Sequence, residues 1–219
     1  MIPSLRCKGG MSMVMTRVRI EPSKTTSLRA LTNPAVMHGV VQSSLSAKEI
    51  RALWRVDLLN GNRYLLMISP EEPDLERLAG QIGIPGEPSS KDYDAFLEGI
   101  AADDSYRYKI TGNPTVADGK GGIIPLAKRS EGRHFARCEE DWLERKGENR
   151  GFDLRSCRIT ARDTIHFQKS PACRVTIHRV TYEGLLTVRD PDTFRHVLTD
   201  GIGREKAYGC GLLTVVPAR

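Results

Sequence analysis

Residues 201–213 read Gly-Ile-Gly-Arg-Glu-Lys-Ala-Tyr-Gly-Cys-Gly-Leu-Leu, close to the end of a 219-residue chain. Glycines 201, 203, 209 and 211 bracket Arg204 and Lys206. Such a segment is a basic loop whose backbone can take positive φ and approach a ligand closely. An apolar run, Leu212–Val216, follows directly, and Pro191–Thr199 before the loop reads as a helix. The order is therefore helix, loop, strand. A dinucleotide-binding fingerprint needs the reverse order, strand then glycines then helix, inside a βαβ unit. The Gly-Lys-Ser/Thr of a phosphate-binding Walker loop is absent. On residue types alone, a simple glycine-rich turn stays open.

Working outward from the loop, the second half reads as a helix over Arg129–Lys146, with Phe135, Cys138, Trp142 and Leu143 on one face. Strands are expected at Ser156–Thr160, Thr164–Phe167, Arg174–Val180 and Gly184–Val188, then the helix Pro191–Thr199 and a last strand at Gly211–Val216. That is βαββαβ with an extra hairpin. The first half gives a strand at Met13–Ile20 and a helix opened by Asn33-Pro34 and running to Leu45, proline being suited to a first helical turn. Ala52–Leu59 and Arg63–Ser69 are strands joined by Asn60-Gly61, a strong hairpin signal. A short helix at Asp74–Ile82 and a strand at Tyr106–Thr111, ending at Gly112-Asn113-Pro114, complete a second βαββαβ. The expected fold is α+β, two tandem ferredoxin-like domains. They span residues 11–114 and 115–219, with Ala117–Gly122 as the polar joint. Residues before Met11 read as a tag remnant or an upstream start.

Charge separates the halves. Residues 1–110 carry 14 Lys and Arg against 13 Asp and Glu, and residues 111–219 carry 19 against 14. The excess points to a polyanionic partner, nucleic acid before an anionic membrane, although a solvated basic face also accounts for it. No run of about 18 apolar residues is present, which excludes a transmembrane helix, and the N-terminus lacks the apolar core of a signal peptide. Five scattered cysteines without a Cys-X-X-Cys pair argue against a zinc ribbon or a disulfide framework. A cytoplasmic protein without cofactor or metal is expected.

Of five histidines, His134, His166, His178 and His196 lie in the second half, and His38 stands alone in the first, within Asn-Pro-Ala-Val-Met-His-Gly. A lone helical histidine is more often structural than catalytic. No His-Glu-X-X-His motif and no carboxylates spaced for a metal occur. Cleavage of RNA requires neither. A ribose 2′-OH attacks the adjacent phosphorus once deprotonated and aligned, one histidine can act as acid or base, and cations stabilise the phosphorane.

The segment Gly201–Leu213 closely resembles the glycine-rich loop of the CasE family, the CRISPR RNA-processing endoribonucleases of type I-E systems. Val180–Val188 looks like the family strand before the last helix, and Tyr108–Pro114 like the strand and Asn-Pro that close its first half. Met37-His38-Gly39 falls on the first helix, where that family places its catalytic histidine. The resemblance implies two ferredoxin-like domains flanking a cleft. It implies metal-independent cleavage of the precursor CRISPR RNA repeat on the 3′ side of its hairpin stem, with His38 catalytic and a 2′,3′-cyclic phosphate as product. It also implies retention of the crRNA within the Cascade complex, hence partnership with other Cascade subunits in antiviral defence. Some members carry a tyrosine one turn before the histidine; here that position is Ala35.

Candidate RNA-binding residues are Lys120, Lys128, Arg129 and Arg133 at the joint and the second-half helix, and Arg158, Arg162, Lys169 and Arg174 on or near the strands. Lys128 follows Pro125-Leu126, a pattern similar to the family's. Gly201, Gly203, Gly209 and Gly211 are expected to line the cleft and support the RNA backbone, with Arg204 and Lys206 supplying charge. Two other readings stand beside this one: a non-catalytic CRISPR repeat RNA-binding protein, and a two-domain regulatory or small-molecule-binding protein whose loop is only a turn.

Overall fold

A computed structural model describes residues 12–117, 119–120, 122–126, 135–170 and 172–218. The first sheet holds β1 (Val14–Arg19), β2 (Leu53–Leu59), β3 (Asn62–Ser69) and β4 (Ser89–Asp92), side by side in the order β2-β3-β1-β4. Helices α1 (Thr25–Thr32), α2 (Pro34–Ser43) and α3 (Leu75–Gln81) connect these strands, and α4 (Asp94–Glu98) leads onward. The second sheet holds β5 (Ser105–Gly112), β8 (Phe152–Ser170), β9 (Cys173–Val188) and β10 (Leu213–Pro217) in the order β10-β5-β9-β8. Its helices are α5 (Phe135–Glu148) and α6 (Pro191–Asp200). Each sheet places its own strands in the spatial order 4-1-3-2, all antiparallel. That is the ferredoxin-like arrangement, twice. Among the described residues no helix is long and apolar enough to cross a membrane.

Local chemistry accounts for the connections. Asn60 and Gly61 both take positive φ, 50° and 77°, the geometry of a two-residue hairpin turn. Asn33 Oδ1 accepts from the Ala35 amide at 2.9 Å and Pro34 opens α2. Asp74 caps α3 by accepting from the Arg77 amide at 2.9 Å, and Asp190 caps α6 through the amides of Asp192 and Thr193.

Several expectations are corrected. The strand expected at Tyr106–Thr111 does not close the first half; as β5 it pairs with β9 and β10. The fourth strand of the first sheet is Ser89–Asp92, paired with β1. Its sequence, Ser-Ser-Lys-Asp, is a polar edge without apolar alternation, so it carried no strand signal. The four strands expected between Ser156 and Val188 are two long ones, β8 and β9, that form a single hairpin. Register shifts between Leu154/Ser156, Ile159/Ala161 and Gln168/Ser170 break the alternation without ending the ladder. The helix expected over Arg129–Lys146 is described over Phe135–Glu148. The joint at Ala117–Gly122 lies within a small hairpin, β6 (Thr115–Ala117) with β7 (Ile123–Pro125). Helix α1 was not expected.

The sheets share a core. Leu53 and Ile68 of the first pack in one cluster with Tyr106, Ile110, Leu212 and Leu213 of the second. Arg55, 3% exposed, crosses between them. Its Nη1 donates to the carbonyls of Lys109 at 3.0 Å and Leu212 at 2.8 Å, and its Nη2 to Thr214 Oγ1 at 2.8 Å. Asp57 balances its charge through two bonds of 2.9 and 2.8 Å. Burial raises the Asp57 pKa, but Arg55 and Lys109 outweigh it and hold the carboxyl below its ordinary value.

Candidate active site

On α2 the 3.6-residue period buries Met37, Val40 and Val41 and leaves His38 half-buried beside them. The imidazole stands edge-on to the Tyr208 ring, with centroids 6.3 Å apart. Tyr208 stands edge-on to Phe167 at 4.9 Å. Tyr208 belongs to a single 3₁₀ turn, Lys206–Tyr208, inside the glycine-rich loop, and Phe167 lies near the far end of β8. Phe167, Ile177, Tyr208 and Cys210 form a buried cluster against which Ala35 of α2 packs. Three segments far apart in sequence thus converge on His38.

Burial, and after it the nearby Lys169 ammonium, push the His38 imidazole below its ordinary pKa. At neutral pH the ring is then an uncharged base with a free lone pair. Lys169 belongs to the long hairpin β8–β9, near the end of β8.

The four loop glycines have φ of 74°, 83°, 82° and 89°, where a side chain is disfavoured. They also face protein. A Cβ on Gly209 would lie 2.8 Å from the Trp54 ring, and one on Gly211 2.7 Å from the Ile202 carbonyl. The amides of Ile202 and Gly211 bond to Gly211 O at 2.9 Å and Thr111 O at 2.7 Å. Glycine is required here by the fold of the loop, without any ligand. What the loop brings to the site is Tyr208 and Lys206.

Lys206, with Lys48, Arg51, Gln42 and Asp200, lines a cleft of about 680 Å³ that reaches His38. Lys48 and Arg51 were missed by sequence reasoning. In Ser46-Ala47-Lys48-Glu49-Ile50-Arg51 they are indistinguishable from an ordinary solvated loop, and only the fold brings them to the site. Tyr208 was quoted within the loop but had no signal linking it to His38.

The other candidates separate. Arg158 and Arg174 are exposed on β8 and β9, and Arg204 is exposed on the loop. Lys120 is exposed in the β6–β7 connection. Arg162 instead bonds through Nε to Glu139 at 2.7 Å, a fully buried carboxylate that also meets His178 Nε2 at 3.1 Å. Its charge answers a buried anion of α5, a role that needs no RNA. Lys128, Arg129, Arg133 and His134 lie outside the described residues.

Known proteins are similar to this chain in sequence and in fold. The model of a family described as CRISPR associated protein matches residues 13–217. The CRISPR-associated endoribonuclease Cse3 of Thermus thermophilus is 26% identical, over 94% of this chain and all of that protein. A structure of Thermus thermophilus Cse3 bound to an RNA representing a pre-cleavage complex is similar in fold, with TM-score 0.78 and 24% identity over 94% of this chain and all of that one. A chain of a CRISPR RNA-guided surveillance complex has TM-score 0.64 and 18% identity over the same shares.

Proposed function

The chain belongs to the CRISPR-associated protein family, and we propose that it is an endoribonuclease that processes precursor CRISPR RNA. It cuts within the repeat, 3′ of the hairpin stem, and keeps the mature crRNA as a subunit of a cytoplasmic Cascade complex. The observation that carries this reading is the convergence on His38 of the long β8–β9 hairpin and the glycine-rich loop. The named activity of the Thermus relative supports the choice of RNA.

In this mechanism the exposed cations Arg158 and Arg174 hold stem phosphates, recognising A-form RNA by shape and backbone. Lys128, Arg129 and Arg133 are proposed to extend this surface, and Lys120 to flank it. The cut nucleotide lies against His38. The neutral imidazole takes the 2′-OH proton, the freed oxygen attacks phosphorus, and the 5′-oxygen leaves and takes a proton from water. Lys169 and Lys206 stabilise the added charge on the phosphorane. The products are a 2′,3′-cyclic phosphate and a 5′-hydroxyl, and no divalent ion takes part. General acid–base help of this kind contributes about 10²–10⁴-fold.

The test is incubation with the repeat RNA of its own source in excess EDTA. Cleavage 3′ of the stem is expected, with a cyclic phosphate end, and a 2′-deoxy substitution at the cut nucleotide abolishes it. Strict dependence on Mg²⁺, or cutting of the deoxy substrate, contradicts the mechanism. Tight binding without cleavage favours the non-catalytic RNA-binding reading.

A further inference from the structure

The cleft beside His38 holds more positive charge than the cut itself uses: Lys206 is given a role there, and Lys48 and Arg51 are not. Its lining holds three cations, Lys48, Arg51 and Lys206, and one acid, Asp200. Among the described residues, none of the three cations forms an ion pair within 4.0 Å. Lys206 is half-buried. Its pKa is lowered first by burial and further by Arg150 and Arg51, and Asp200 opposes this only in part. Like charges gathered in a partly buried cleft repel one another, and an anion placed among them relieves that repulsion. Glu49 lies between Lys48 and Arg51 in sequence, yet it is exposed and does not line the cleft.

Position then selects the anion. His38 stands between two basic arms. One is the β8–β9 hairpin, whose Lys169 acts on His38 and whose Phe167 meets Tyr208. The other is the cleft, whose lining includes no residue of β8 or β9. For an RNA whose stem rests on the hairpin and whose cut nucleotide meets His38, the cleft is the other basic surface adjoining the cut.

We infer that the cleft lined by Lys48, Arg51 and Lys206 is a single-stranded phosphodiester track that holds the nucleotides 3′ of the cut. This inference rests on the proposed ribonuclease activity. The track anchors the strand on the leaving side, so the scissile phosphate is held from both ends, and it distinguishes uncut precursor from mature product.

The test compares two RNAs with a 2′-deoxy cut nucleotide. One ends at that nucleotide and the other continues for three more. The wild-type protein is expected to bind the longer RNA several-fold more tightly. Its log K against log salt is expected to be steeper by about 0.7 for each added phosphate engaged. In Lys48→Ala/Arg51→Ala both differences collapse, and in Lys48→Arg/Arg51→Lys both persist. Lys48 and Arg51 are exposed, so the variants are expected to fold, and the ratio of the two RNAs within each protein cancels any general loss. No gain in the wild type overturns the track, as does a gain that survives Lys48→Ala/Arg51→Ala. A gain lost instead in Arg158→Ala/Arg174→Ala places the downstream strand on the hairpin and also overturns it. Failure of the ribonuclease reading looks different: either neither RNA binds, or the all-ribose repeat RNA is bound by the wild type and not cut.

Discussion

The hairpins β2–β3 and β8–β9 occupy the same place in their sheets, the second and third strands of a βαββαβ unit, yet they serve different ends. The first is 7 and 8 residues long and closes on Asn60-Gly61. It is scaffold: Leu65 and Met67 face the helices, and Leu53 and Ile68 face the other sheet. The second is 19 and 16 residues long. Only Val180–Thr187 of β9 pairs with β5, so the part from Asp163 to Arg179 runs beyond the sheet as a two-stranded ribbon. An isolated ribbon is marginal in water. This one is held by Phe167 and Ile177 against Tyr208, Cys210 and Ala35, and it carries Lys169 to His38. The longer hairpin of one fold unit thus reaches α2 of the other, where the first hairpin stays within its own sheet.

The comparison breaks first if the two sheets are not one body. Arg55 ties β2 to the carbonyls of β5 and the segment before β10. Arg55→Ala leaves Asp57 buried with only Lys109 at 3.5 Å, and is expected to cost about 3–5 kcal/mol in chemical denaturation. A wild-type midpoint would mean that the units are held by their apolar contacts alone.

A smaller loss is expected from the loop. Gly209→Val forces a β-branched side chain into positive φ and against Trp54. The backbone term alone is about 1–2 kcal/mol, so the melting temperature should fall, and cleavage should fall because Tyr208 shifts. Cys210→Ser, which keeps the backbone, should reduce cleavage less. A variant that melts and cleaves like wild type shows that the loop does not position Tyr208.

The smallest effect sharpens the role of the arm. Lys169 lowers the His38 pKa, so Lys169→Ala lets that pKa rise. The neutral base then forms only at higher pH, and the acidic limb of the rate profile moves upward. A limb that stays fixed, or moves downward, means that the ribbon does not act on the imidazole electrostatically.

What was legible in the sequence followed from strong local chemistry. Asn60-Gly61 and Asn33-Pro34 marked a turn and a helix start, and the helix expected from Pro191 begins there; the structure has all three at those residues. Ser89–Asp92 was not legible, because a short polar edge strand has no apolar period and forms only because β1 offers it a partner. The misplacement of Tyr106–Thr111 followed from that gap, since a real strand stood next in line to fill it. In the candidate site, His38 was singled out by the resemblance of the chain to the CasE family, not by its own segment. Lys48, Arg51 and Tyr208 were not legible, because their relation to His38 exists only after folding; nor was the bond of Arg162 to a buried carboxylate 23 residues away in sequence.

The most direct test of the account is the single-turnover cleavage rate of His38→Ala in EDTA, on the repeat RNA, with affinity measured in parallel. The account predicts a rate lower by about 10²-fold or more with affinity nearly unchanged, because phosphates and stem shape supply the binding. A rate equal to that of the wild type would contradict it and move the chemistry to another residue.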